Sequence, residues 1–106
     1  MPAIRTRLRE PEARILALRI AASKPNNEAA TSEIKETVPV LIDLTPIDLE
    51  WSNSRNLERK WQQIVGNVVS HQRTSTSIFN KGYAVRTDNG IRVTPAGLAF
   101  LAKNGF

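Results

Sequence analysis

The sequence predicts an α+β fold in which three or four helices are closed by a C-terminal β-hairpin. Three observations carry this. An apolar stripe recurs at helical spacing over about residues 55–72, the turn Thr87-Asp88-Asn89-Gly90 separates two short β-prone runs, and a strongly apolar segment ends at Lys24-Pro25-Asn26-Asn27. With 106 residues the chain supports one domain and one modest core. A hydrophobic fraction of 41% and a charged fraction of 24% fit a folded globular protein.

Residues 1–9 read as a flexible basic arm, with Pro2 and the alternating Arg5, Arg7 and Arg9, and residues 10–106 as the domain. The first helix is expected from Pro11, which suits a first turn because it has no amide to satisfy, to about Ser23. Ile15, Leu16, Leu18 and Ile20 among several alanines make it apolar on most sides, which places it centrally.

A second helix is expected to start with Thr31 or Ser32 as N-cap, followed by Glu33 near the positive end of the dipole. Ile34 and Val38 face inward, and Pro39 ends or bends this helix. Thr45-Pro46-Ile47-Asp48 reads as a capped helical turn.

The third helix is the clearest, because Leu57, Trp61, Ile64, Val65, Val68 and Val69 form one stripe. Trp61 is expected to be a core anchor, whereas Trp51 is a candidate for an interface. Opposite the stripe lie Arg59, Gln62, Gln63, Gly66, Asn67, Ser70 and Arg73, with Glu58 the one carboxylate of the helix. An ordinary solvent face would mix Glu with Lys.

In the hairpin, alternation puts Arg86 and Arg92 on the face opposite Ile91 and Val93, and Asn89-Gly90 is expected to supply positive φ. Thr94-Pro95 caps a last helix, with Leu98 and Leu101 as core contacts.

Charge is uneven along the chain. Residues 1–9 hold three bases and no acid (+3), residues 10–54 four bases and eight acids (−4), and residues 55–106 eight bases and two acids (+6). A positive half with a basic arm suits a polyanionic partner.

Three helices followed by a basic-tipped hairpin is the order of a winged helix-turn-helix. In that arrangement the third helix enters the major groove of double-stranded DNA and the wing, here about 83–93, reaches the flanking backbone. Gln and Asn suit adenine edges and Arg suits guanine, while hydroxyls hold phosphates and Gly66 would allow a phosphate or sugar to approach closely. The candidate DNA contacts are Arg55, Arg59, Gln62, Gln63, Asn67, Ser70 and Arg73 on the helix and Arg86 and Arg92 on the wing.

The stretch Leu44 to Leu101 resembles the N-terminal winged-helix domain of Mrr-type restriction endonucleases. The matching residues are Leu44-Thr45 with Asp48-Leu49, Arg59-Lys60-Trp61, Lys81-Gly82-Tyr83, Arg86, and Gly90-Ile91-Arg92-Val93-Thr94-Pro95-Ala96-Gly97. In those enzymes the nuclease is a separate domain with an Asp and a Glu-Xaa-Lys site, a signature this chain lacks, so the resemblance implies binding without cleavage. A small transcription regulator or the DNA-recognition component of a restriction-like system is the expected role.

The competing reading is a protein-interaction or dimerising winged helix, motivated by Trp51, the acidic middle and the apolar first helix. Both hold together if a homodimer reads paired half-sites. No enzyme, cofactor or metal is expected: cysteine is absent, His71 is the one histidine, and no phosphate loop or nucleophile elbow occurs. The acids from Glu33 to Glu50 are expected to be helix caps and solvated surface. With no apolar run of membrane-spanning length and no signal-peptide core, no membrane contact and a cytoplasmic location are expected.

Overall fold

A computed structural model describes residues 7–52, 58–70 and 74–106. The elements in order are α1 (Glu10–Ala22), β1 (Glu28–Ala30), α2 (Thr31–Leu41), α3 (Lys60–Ser70), β2 (Ala84–Arg86), β3 (Gly90–Val93) and α4 (Pro95–Lys103). A short 3-10 turn, Pro25–Asn27, precedes β1. The result is a compact α+β fold with four helices and a small three-stranded antiparallel sheet among the described residues.

Helix α1 is the centre, as its all-round apolar character predicts. Ala13, Leu16, Ala17, Leu18, Ile20 and Ala21 are buried, and the helix packs against α2, α3, α4 and β3. Its end is set locally, where the Ser23 hydroxyl donates to the Ile20 carbonyl at 2.6 Å. Asn26 and Asn27 then take positive φ (59° and 58°), which asparagine tolerates better than most residues, and the chain reverses into β1.

Strand β1 is an element that no pattern in the sequence announces. It lies on the outer edge of β3, in the order β1-β3-β2, with Glu28 opposite Arg92 and Ala30 opposite Gly90. Gly90 is therefore in the sheet and its φ is not positive, contrary to the turn role expected for it. A Cβ there would collide with the Ala29 carbonyl oxygen and stand 2.6 Å from the Ala30 Cα. Glycine is needed for the close approach of β1, not for the turn.

Register also corrects the hairpin faces. Ala84 pairs with Val93, Val85 with Arg92 and Arg86 with Ile91. Directly opposed residues share a face, so Arg86 lies on the Ile91 side and Arg92 on the Val85 side. The two arginines are on opposite faces, and Val85 is exposed while Ala84 is buried.

Helix α2 begins one step earlier than a Thr or Ser cap would place it. Ala30 is the N-cap, its amide donating to Glu33 Oε1 at 2.9 Å, while the Thr31 amide donates to the Asn89 carbonyl at 2.8 Å. The hairpin tip is thereby tied to the start of α2. Pro39 does not end the helix, which continues to Leu41. The 45–49 turn forms as expected: Thr45 N–H donates to Asp48 Oδ2 at 3.1 Å, and Asp48 N–H to Thr45 Oγ1 at 3.3 Å.

Trp61, Val65, Val68 and Val69 of α3 are buried as the stripe predicts, with Trp61 as an anchor, while Ile64 is half-buried. In α4, Thr94 Oγ1 accepts from the Gly97 amide at 3.1 Å and Leu101 is buried. Leu98 is exposed instead of packing in the core, and Phe100 stacks on Tyr83 with ring centroids 4.3 Å apart. At the other end of the chain, Leu8 is fully buried, so the basic arm gives way to the packed domain before residue 9.

Candidate nucleic-acid interface

Helix α3 starts at Lys60, later than the expected start near residue 55, because Arg59 is held in a bridge to Trp51. Trp51 and Arg59 form an antiparallel bridge, with Ser52 N–H donating to the Glu58 carbonyl at 2.9 Å and Lys60 N–H to the Glu50 carbonyl at 2.8 Å. Arg59 is the residue before the helix. Its amide donates to Gln62 Oε1 at 2.8 Å, so Gln62 satisfies one of the amide groups that a helix start leaves open.

The Arg59 side chain is held in two ways. Its guanidinium carbon is 3.6 Å from the centre of the Trp51 ring, and Nη1 donates to the Leu49 carbonyl at 2.9 Å. A guanidinium has five N–H donors in a fixed fork, so this arrangement fixes its position and still leaves donors. Gln63 Oε1 accepts from the Ser52 hydroxyl. Gly66 faces Lys35 of α2, since a Cβ there would be 3.6 Å from Lys35 Nζ, so that lysine occupies the room expected for a phosphate or sugar.

Further along the helix, Asn67 is half-buried, and its side chain has no hydrogen-bond partner among the described residues. Ser70 is exposed, its hydroxyl donating back to the Gly66 carbonyl at 2.8 Å. On the hairpin, Arg86 is exposed and Nη1 donates to the Gly90 carbonyl at 3.1 Å. Arg92 is paired across the sheet with Glu28 at 3.2 Å. Arg55, Arg73, Leu57 and His71 lie outside the described residues, as does the end of the helix expected to reach residue 72.

Three-dimensional pairing changes the charge picture. Acids of the 10–54 segment neutralise bases of the 55–106 segment: Glu50 holds Lys60 at 2.7 Å and Glu28 holds Arg92. In the reverse sense Lys35 holds Glu58 at 2.6 Å. Among the described residues Arg7, Arg9, Arg19, Lys24, Arg59, Lys81, Arg86 and Lys103 have no ion pair, although Arg19 and Arg59 each lie over an aromatic ring.

One cation outside the expected contact set joins the site. Arg7 lines a shallow concavity with Lys60, Gln63 and Ile64 of α3 and with Ile47 and Asp48. The alternating arginines of the arm are the available signal, but nothing in the sequence places the arm beside α3. Comparison with protein-family models, with curated proteins and with solved structures finds no match to this chain. Among the described residues, no group of three His, Asp or Glu side chains could hold a metal ion, and no helix is long and apolar enough to cross a membrane.

Proposed function

We propose that the chain is a double-stranded DNA-binding module of winged-helix type, with α3 as the helix presented to the major groove and β2–β3 as the wing. The observation that carries this reading is the character of α3 outside its apolar stripe. From Lys60 to Ser70 it has no acid, and it offers Gln62, Asn67 and Ser70, with Arg7, a cation without an ion pair, beside Lys60 and Gln63. The order of elements and the small antiparallel sheet are compatible with a winged-helix arrangement, and the likeness of residues 44–101 to Mrr-type domains points the same way. The module binds without cleaving, and serves as a small regulator or as the recognition part of a restriction-like system.

A mobility-shift titration against random and genomic duplexes at several salt concentrations tests this. Each phosphate contact contributes about −0.9 to the slope of log K against log salt, so the double variant Arg59→Ala/Arg86→Ala is expected to flatten the slope by about 2 units. Binding that is independent of salt, or no binding at low ionic strength, overturns the reading.

A second reading has an observation of its own. Trp51 is 54% exposed, and Ile47 and Leu49 beside it in sequence are 40% and 45% exposed, an apolar surface that suits a protein partner or a second copy. Helix α1, the other apolar segment considered for contact, is instead consumed by the core. Sedimentation equilibrium tests the second copy: concentration-dependent association that Trp51→Ala abolishes is expected, whereas a monomer throughout the micromolar range removes self-association through this surface.

A further inference from the structure

We propose that the groove between α1, the 74–83 connection and α4 is a binding site for a small aromatic carboxylate. It lies apart from the candidate nucleic-acid surface and does not depend on that reading. Its floor is apolar, made by Leu18 and Ile78, both buried, and its side is the stacked pair Tyr83 and Phe100, with rings inclined by 17°. Such a surface takes the flat face or edge of another ring.

The polar groups at this groove are of one sign. Arg14 and Lys81 line it, together with the Thr76 hydroxyl, and no acid is among the lining residues. Arg14 is only loosely committed: Nη1 is 3.4 Å from Thr76 Oγ1 and 3.6 Å from Glu10 Oε1, both longer than the usual range for a charged hydrogen bond. Lys81 is exposed and has no ion pair among the described residues. Lys81 and an arginine whose ion pair with Glu10 is long, over an apolar floor, select an anion with a hydrocarbon body and disfavour a cation.

Size narrows the class. The groove, open on one side, offers about 240 Å³, below the roughly 300–1,000 Å³ of sites for drug-sized ligands. One ring with one carboxylate fits that space. In the arrangement that uses every feature, the ring rests on Ile78 and the Tyr83–Phe100 pair while the carboxylate lies between Arg14 and Lys81.

Titration of the full chain with benzoate, followed by amide chemical shifts, tests the site. Saturable shifts are expected at Ile15, Leu18, Ile78, Tyr83 and Phe100. Benzamide, which keeps the ring and loses the charge, is expected to bind at least tenfold more weakly, a loss of about 1.4 kcal/mol or more. Acetate, which keeps the charge and loses the ring, is expected to leave these amides unmoved. Lys81→Ala and Arg14→Gln are each expected to weaken benzoate severalfold with the remainder of the spectrum unchanged. Three results overturn the proposal: shifts that do not saturate, benzamide equal to benzoate, or shifts scattered over lysines elsewhere on the surface.

Discussion

Gly90→Ala is expected to lower the stability of the protein by about 3 kcal/mol, near the upper end of the usual cost of forcing an added carbon into a packed site. The obstruction is backbone. An alanine Cβ at this position meets the Ala29 carbonyl oxygen, its carbon and the Ala30 Cα, none of which can rotate away as a side chain would. Relief requires β1 to leave β3, which exposes Ala29 and breaks the pairing at Glu28, Ala29 and Ala30. For a domain of this size the loss corresponds to a fall in Tm of about 12–24 °C. Urea unfolding should show a lower midpoint at unchanged slope.

Gly82→Ala is the control. That glycine has φ +77° and open space, with nothing within 4 Å of where a Cβ would stand. Its alanine therefore suffers only left-handed backbone strain, about 1 kcal/mol. Equal losses at the two positions would refute the crowding argument, because one glycine is there for space and the other for conformation.

The same pair shows what a linear sequence can and cannot say. Gly82 and Gly90 look alike beside a lysine or an asparagine, and an Asn-Gly step invites a turn reading. What distinguishes Gly90 is a strand far earlier in the chain. That strand, Glu28-Ala29-Ala30, has no β-branched or aromatic residue, so no local preference marks it; it is a strand because β3 offers it an edge. Its arrival also decides the electrostatics, since Glu28 meets Arg92 only through this pairing.

Features encoded within a few residues of one another are legible. Thr94 caps α4, Thr45 and Asp48 cap each other's turn, and the spacing of Trp61, Val65, Val68 and Val69 marks the buried side of α3. The start of α3 is not, because helical periodicity runs on through Arg59 while the actual boundary is set by the distant partner Trp51. For the candidate site the consequence is specific. Residue types on α3 are readable, but the use of Gln62 as a cap, Gln63 as a partner of Ser52 and Arg59 as a lid on Trp51 requires the fold.

Asp48→Ala is the second large effect, again about 3 kcal/mol, and it connects stability to the candidate interface. Sequence alone marks Asp48 as a capping residue on solvated surface; it does cap the 45–49 turn, but it is 1% exposed. Oδ1 accepts from the Leu8 amide at 2.6 Å and Oδ2 from the Thr45 amide at 3.1 Å. Every buried side-chain polar atom among the described residues has a partner, so the carboxylate is fully engaged. Removing it strands the amide of a fully buried Leu8, and an orphaned buried donor costs about 1–3 kcal/mol. Asp48→Asn keeps one oxygen but turns an NH2 group toward a second donor, so its loss is expected to be intermediate. Hydrogen exchange separates this mechanism from general loosening: the Leu8 and Thr45 amides should lose protection before those of α1 do. The anchoring of Leu8 also holds Arg7 beside Lys60 and Gln63. If α3 is the surface that meets DNA, Asp48→Asn, assayed well below its unfolding temperature, should weaken binding and reduce the salt slope by about 1 unit, the share of one released phosphate contact. An unchanged slope with a lowered Tm would confine Asp48 to a structural role and remove Arg7 from the interface.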